Sequence, residues 1–184
     1  MSKPLTFLML LSALLFTIES CRTDFTAESN AVNSLLGVVD NVSSHSGEID
    51  GRLINQYVKD VTEKCQTIQQ QMMDTISLED AQTLVDFCVL SDHLANCLER
   101  KTAIDSEIVK TREQLFRLRT DLKERVAEKD TVNSFIEEEF LYVESLDEGM
   151  EQVVVEVNAC LKTYAKLKLE IDRFLIALPE QSPE

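Results

Sequence analysis

Residues 153–178, VVVEVNACLKTYAKLKLEIDRFLIAL, decide the fold of this chain. Apolar side chains recur there at alternating intervals of four and three residues, at Val153, Val157, Cys160, Tyr164, Leu167, Ile171, Phe174 and Leu178. This spacing places them on one face of an α-helix. Further apolar residues widen the face, which favours burial in a helical bundle over a two-stranded coiled coil.

Residues that interrupt helices are rare in this chain. It has 184 residues with three prolines and four glycines, and no proline lies between Pro4 and Pro179. Strand-rich domains need turn residues about every 8–12 positions, whereas the abundant Leu, Glu, Gln, Lys, Ala and Met favour helices. The sequence therefore predicts an all-α protein.

Further apolar stripes predict four more helices. In chain order, the five expected helices span residues 25–40, 50–75, 78–101, 103–130 and 134–178. Ser77 is expected to cap the third helix and Thr102 the fourth. We expect an antiparallel, up-and-down bundle of the four long helices plus the N-terminal helix, in a single domain over residues 21–184.

The start of the last helix has two candidate positions. Ser134 with Glu137, and Ser145 with Glu148, both have the spacing of a capping box. The turn before the last helix is therefore expected either at residues 130–134 or near residue 145.

The N-terminus has the three regions of a secretory signal peptide. Lys3 supplies a positive charge, residues 5–16 form an apolar run of twelve, and a short polar segment ends at Ser20. Twelve apolar residues are fewer than the roughly 20 that span a bilayer as a helix. We expect residues 1–20 to be a signal peptide and the mature protein to be secreted and extracellular.

Cysteines in the oxidising secretory pathway are expected to form disulfides. Cys88 and Cys97 lie nine residues apart on one predicted helix, so about 13 Å separates them and they cannot pair. Cys65 and Cys88 lie about equally far from the predicted turn at residues 76–77, which predicts a Cys65–Cys88 bond. The remaining pair is Cys97–Cys160, and it closes only if the later turn lies at residues 130–134.

Two residues near the N-terminus are candidates for covalent modification or linkage. Cys21 has no predicted partner within the chain, so it is expected to be unpaired or to join two copies in a homodimer. Asn41 begins the N-glycosylation tripeptide Asn-Val-Ser and lies in the predicted loop at residues 41–51. We expect Asn41 to carry a glycan.

Charge limits the classes of partner. The chain has 33 Asp and Glu against 18 Lys and Arg, a net charge of −15, which repels nucleic acid and anionic membranes. Neither nucleic-acid binding nor membrane insertion is expected. The one basic region is expected to form ion pairs along its helix, with a receptor- or heparin-binding patch as the alternative; it contains Arg112, Arg117, Arg119, Lys123 and Arg125.

Residue patterns typical of catalysis or metal binding are missing from the sequence. His45 and His93 are the only histidines, and neither has a neighbour in sequence that would orient it as a catalytic base. His93 lies near two cysteines, but no second ligand pair has the spacing of a zinc site. The acidic run at residues 137–139 is interpreted as a solvated helix face. No enzyme activity, metal or cofactor is expected.

Two functions remain compatible with these observations. The first is a secreted, non-enzymatic protein that presents helix surfaces to an extracellular protein or receptor. The second is a carrier of an apolar small molecule or lipid in the bundle core, favoured by the wide apolar face of the last helix and by the adaptable Met72–Met73 pair.

Overall fold

The fold is all-α, as the sequence predicts. A computed structural model describes residues 24–71 and 77–177. These residues form four helices and no strand: α1 (Thr26–Gly47), α2 (Gly51–Gln71), α3 (Leu78–Glu124) and α4 (Lys129–Ala177). The predicted signal peptide and Cys21 lie outside the described residues.

Helix α3 is a single helix where the sequence predicted two, so the expected turn near Thr102 is wrong. The Thr102 hydroxyl donates a hydrogen bond to the Leu98 carbonyl at 2.8 Å instead of capping a new helix. Lys101 forms an ion pair with Asp105 across the same turn, at 2.7 Å. No glycine or proline lies between Leu78 and Glu124, so nothing ends the helix there.

Helices α1 and α2 succeed each other along α3 and α4. Helix α1 contacts the later part of α3, where Asp40 pairs with Arg112 at 2.7 Å. Helix α2 contacts the beginning of α3 and the end of α4, where Lys64 pairs with Asp172 at 2.9 Å. Helices α1 and α2 pack mainly on α3 and α4, so three helices share the core at each height of the bundle. The predicted arrangement of four long helices plus a fifth is therefore wrong.

Contacts between α3 and α4 fix their relative direction. Arg100 pairs with Glu156 at 2.6 Å, and the Tyr142 hydroxyl donates to Glu107 at 2.7 Å. Residue numbers rise along α3 as they fall along α4, so the two helices form an antiparallel hairpin. Each is about 70 Å long at 1.5 Å per residue.

The turn between α3 and α4 comes slightly earlier than predicted. Arg125 has a left-handed backbone (φ 58°), and its N–H donates to the Leu122 carbonyl at 3.3 Å. This left-handed residue ends α3, and α4 begins at Lys129. The predicted starts of the last helix, at residue 134 or near 145, are both too late.

The connection between α1 and α2 is shorter than predicted. Helix α1 continues to Gly47, so most of the expected loop at residues 41–51 is helical. Asp50 accepts a hydrogen bond from the Arg52 N–H at 2.9 Å and thereby caps α2. Asn41 consequently lies on a helix, where its side chain is exposed.

The predicted apolar stripes form the core. On α4, Val153, Val157, Tyr164, Leu167 and Ile171 are buried. The same holds for the stripes that the sequence places on the other helices, including Val32, Val39, Ile54, Val61, Phe87, Leu94, Ile108 and Leu115. Ser77 caps α3 as predicted, because its hydroxyl accepts a hydrogen bond from the Asp80 N–H at 3.1 Å.

Candidate interaction surface

One of the two predicted disulfides is present. Cys65 and Cys88 are joined, with a Cα–Cα distance of 5.9 Å, which links α2 to α3. Cys97 and Cys160 are free thiols, so the structure does not contain the second predicted bond. The α3–α4 contacts place Cys97 opposite Glu156, and Cys160 lies one helical turn farther along, about 6 Å.

The two free thiols are poor nucleophiles because their pKa values are raised. Cys97 is buried, and its thiol donates a hydrogen bond to Glu156 at 3.5 Å. Burial and Glu156 together raise the pKa of Cys97 to about 11. Burial and the same carboxylate raise the pKa of Cys160. Both cysteines are therefore protonated at neutral pH, whereas a catalytic cysteine needs a thiolate.

Near the disulfide, aromatic rings pack against one another and the charged side chains are paired. The Tyr164 ring contacts Tyr57 edge-on at 4.7 Å and stacks on Phe87 at 5.8 Å between ring centres. Its hydroxyl donates to Asp60 at 2.7 Å, and burial together with this carboxylate raises the pKa of Tyr164. Lys64 joins Asp60 and Asp172. The cluster connects α2, α3 and α4 and is structural in character.

The outward side of α4 differs from this cluster because its charged and apolar side chains are exposed and have no partners among the described residues. Six exposed residues are spaced four, three, four, three and four apart: Glu137, Leu141, Glu144, Glu148, Glu151 and Val155. They form one stripe, which we call the acidic outer face. Leu141 is 66% exposed and Val155 is 62% exposed, and Phe140 at its edge is 55% exposed. Large apolar side chains thus stand among carboxylates on a helix side that no other described helix covers.

The carboxylates of this face lack internal counterions. Residues 130–161 contain nine Asp and Glu and no Lys, Arg or His. Within the described part of the chain, no ion pair includes Glu137, Glu144, Glu148 or Glu151. The negative charge of the face is therefore left for solvent or for a partner.

Beneath the acidic outer face, α4 is firmly packed. Val143, Met150 and Val153 are almost completely buried on the opposite side of the helix. Glu139 is also buried, and its Oε2 atom has no hydrogen-bond partner. Burial, followed by the nearby Glu138 carboxylate, raises the pKa of Glu139. The acidic run at 137–139 is therefore not one solvated face, because its third residue points into the protein.

The basic region of α3 is partly used within the protein. Arg112 pairs with Asp40 of α1, Arg117 reaches Glu113 at 3.7 Å, and Arg119 lies over the Phe116 ring at 4.5 Å. The predicted pairing along the helix is thus seen for Arg117, whereas Arg112 reaches a different helix.

A surface groove lies between α3 and α4 near their turn. Its volume is about 460 Å³. The apolar part of its lining consists of Leu118, Ala127, Val132 and Phe135, and polar residues including Arg117 and Glu128 surround them. This groove is the feature most relevant to an apolar ligand.

Other predicted site residues lie apart. His45 is in the last turn of α1 and His93 is on α3, and both are exposed. Over residues 24–71 and 77–177, no group of three His, Cys, Asp or Glu side chains is placed to bind a metal ion. In the same part of the chain, no helix has the length and apolar character needed to cross a membrane.

Comparisons with known proteins give no information about the acidic outer face. No protein-family model, curated protein or solved structure matches this chain. The apolar core was predicted from the sequence, whereas the acidic outer face was not. Its signal is the regular spacing of residues 137–155 opposite the buried stripe.

Proposed function

We propose that this chain is a secreted, non-enzymatic protein that binds another protein in the extracellular space through its helix surfaces. The observation that carries the proposal is the exposure of Phe140, Leu141 and Val155 on the outward side of α4. Adjacent exposed apolar side chains with charged residues around them, as at Phe140 and Leu141, are typical of protein interaction sites.

Several observations support the non-enzymatic part of the proposal. The pKa values of both free thiols are raised, which disfavours a nucleophilic cysteine. The two histidines lie on different helices. His93 precedes the free Cys97 by four residues on α3, but the Cys97 thiol donates its hydrogen bond to Glu156. The aromatic and charged cluster near the disulfide has its hydrogen bonds satisfied internally.

The extracellular part of the proposal combines sequence and structure. A disulfide such as Cys65–Cys88 persists mainly in oxidising compartments, which agrees with the predicted signal peptide at residues 1–20. Asn41 is exposed on α1, so a glycan there would extend into solvent. Cys21 remains a proposed unpaired thiol or intermolecular link.

Expression in cultured eukaryotic cells tests the extracellular part. We expect the protein in the medium to begin at Cys21 and to lose apparent mass after digestion with an amide-cleaving glycosidase. The variant Asn41→Gln should abolish that mass change. Medium-borne protein that still begins at Met1 would contradict the proposed signal peptide.

Photo-crosslinking tests the interaction itself. A photoreactive amino acid is placed in turn at three exposed sites: Leu141 on α4, and Val109 and Val85 at different heights on α3. The labelled proteins are then irradiated in extracellular fluid from the source tissue. We expect a discrete protein adduct from at least one site. Absence of an adduct from all three sites would overturn the interaction proposal.

The groove near the α3–α4 turn supports a second candidate function, the carriage of an apolar small molecule. A carrier purified from its source should retain its ligand, and native mass spectrometry would detect the added mass. Substitution of Phe135→Ser in the groove should then release the ligand. Protein of unmodified mass would leave the interaction proposal as the only candidate.

A further inference from the structure

We propose that the acidic outer face of α4 binds a cationic amphipathic helix of the partner protein. Apolar side chains of that helix would cover Leu141 and Val155, and its Lys or Arg residues would reach the flanking glutamates. This inference rests on the proposed interaction function and specifies both the surface and the chemistry of the partner.

The geometry of the face fits a helix. Its residues extend from Glu137 to Val155, which is about 27 Å along α4 at 1.5 Å per residue. Alternating spacings of three and four residues form a continuous ridge, and such ridges pack against a second helix at an axial distance of about 8–10 Å. A partner helix of about five turns would therefore cover the whole face.

The negative charge of the face indicates that the partner segment carries positive charge. Residues 130–161 carry nine carboxylates without a basic residue, and the four glutamates of the acidic outer face form no ion pair within the described part of the chain. The chain as a whole carries −15, so its long-range field attracts cations and accelerates their association. The same face of a second copy would bring equal negative charge and would be repelled from this face.

The exposed apolar residues of the face indicate that the partner segment also has apolar side chains. Leu141 and Phe140 are neighbours near one end of the face, and Val155 lies at the other end. A small cation or a fully polar basic segment would leave these side chains in water, whereas an amphipathic helix would bury them. Because α4 is held by buried residues beneath, such as Met150, the face is preorganised and little ordering is needed on binding.

A defined peptide provides the direct test. The probe is a synthetic helix of eighteen residues with Leu at spacings of three and four and Lys on both sides of that stripe. A second peptide has the same composition in scrambled order, so its charge is equal and its apolar stripe is lost. Isothermal titration calorimetry measures both against the secreted full-length protein at physiological ionic strength.

Two sets of variants separate the charge of this face from the charge of the whole protein. One carries Glu144→Gln, Glu148→Gln and Glu151→Gln on the face. The matched control carries Glu79→Gln, Glu99→Gln and Glu170→Gln, which removes equal charge from exposed positions elsewhere. If each face glutamate contributes about 0.5 kcal/mol, the face variant should bind the amphipathic peptide about tenfold more weakly. The control should change affinity by less than about threefold.

A third variant tests the apolar contact. Leu141→Ser should weaken binding of the amphipathic peptide by at least about tenfold, because burial of that side chain contributes about 1.5–3 kcal/mol. Its circular dichroism and melting temperature should match those of the parent, since Leu141 is exposed. Equal affinity for the ordered and scrambled peptides, or no effect of Leu141→Ser, would overturn the proposal by showing nonspecific attraction between opposite charges.

Sedimentation and crosslinking distinguish other occupants. Self-association of the protein alone that Leu141→Ser abolishes would overturn the proposal in favour of a second copy. An adduct formed at Val109 or Val85 but not at Leu141 would overturn this inference while leaving the interaction function intact. Adduct formation at Leu141 that the amphipathic peptide inhibits, and the scrambled peptide does not, is the expected result.

Discussion

The two ends of the α3–α4 hairpin are stabilised in different ways. At the disulfide end, which contains Cys65–Cys88, three aromatic rings and a linked set of ion pairs hold α2 against α3 and α4. At the hairpin end, which contains the turn at residues 125–128, α1 is attached through ion pairs such as Lys129 with Glu28. The acidic outer face begins nearer the hairpin end. Both ends expose apolar side chains, such as Val85 and Leu169 at the disulfide end and Leu141 nearer the hairpin end, so the two ends differ in what holds their helices together.

Two phenylalanines on α3 test this comparison with the largest expected effect. Phe87 at the disulfide end is fully buried against Tyr164, so Phe87→Ala should lower the free energy of unfolding by about 4 kcal/mol. Phe116 at the hairpin end is 42% exposed and contacts Arg119. Phe116→Ala should cost less than about 1 kcal/mol. Guanidinium unfolding followed by circular dichroism measures both, and equal losses would show that the two ends are packed alike.

Removal of the disulfide is the next largest test. The bond joins residues 23 positions apart, and restriction of a loop of that size in the unfolded chain corresponds to about 3 kcal/mol. Cys65→Ala with Cys88→Ala should therefore lower the free energy of unfolding by about that amount.

A reducing agent provides the control for this variant. It should destabilise the parent protein similarly and leave the double variant almost unchanged. A parent that is insensitive to reduction would contradict the assignment of the disulfide as a main stabiliser of its end.

The comparison also shows which features local sequence can predict. The stripe on α4, the Ser77 cap and the Cys65–Cys88 pair were predicted because each depends on spacing within a helix or across one short connection. The continuity of α3 was not predictable in this way. Thr102 can either cap a new helix or donate to the carbonyl four residues earlier, and local sequence does not decide between these two states.

The second predicted disulfide, Cys97–Cys160, rested on heights along the bundle alone. In the structure Cys97 lies opposite Glu156 and donates its hydrogen bond to it, and Cys160 lies about one helical turn farther along α4. The acidic outer face was missed for a different reason. Spacing alone does not distinguish an exposed Leu141 from an apolar residue that widens the core face, and burial becomes known only when the packing of α3 and α1 is known.

Two tyrosine hydroxyls test the polar part of the comparison. Tyr164 at the disulfide end is buried and donates to Asp60, so Tyr164→Phe should cost about 1 kcal/mol through the lost hydrogen bond. Tyr142 is exposed, and its similar bond to Glu107 competes with water. Tyr142→Phe should cost less than about 0.5 kcal/mol. Thermal unfolding of the two variants measures the difference, and a larger loss for Tyr142→Phe would reverse the ranking of the two regions.

The smallest expected effects concern pH, and they have opposite signs in the two regions. Lys168, followed by Lys64, lowers the pKa of Asp172 at the disulfide end. Its ion pairs therefore stabilise the fold above the unfolded-state pKa of about 3.9, and this contribution is lost as pH falls through the lower folded-state value. Asp172→Asn should be less stable than the parent at pH 7 by under about 1 kcal/mol, since the carboxylate is partly exposed.

Glu139 should respond in the opposite direction, because burial raises its pKa and leaves its Oε2 atom without a hydrogen-bond partner. Protonated Glu139 is tolerated below the unfolded-state pKa of about 4.3, and the fold loses stability as pH rises through the higher folded-state value. Glu139→Gln should therefore be more stable than the parent at pH 7, by up to about 1 kcal/mol, with the gain disappearing near pH 4. Urea unfolding at a series of pH values measures both variants. A loss of stability in Glu139→Gln at pH 7 would show that the buried carboxylate is stabilised by a contact and that the two regions do not differ in this respect.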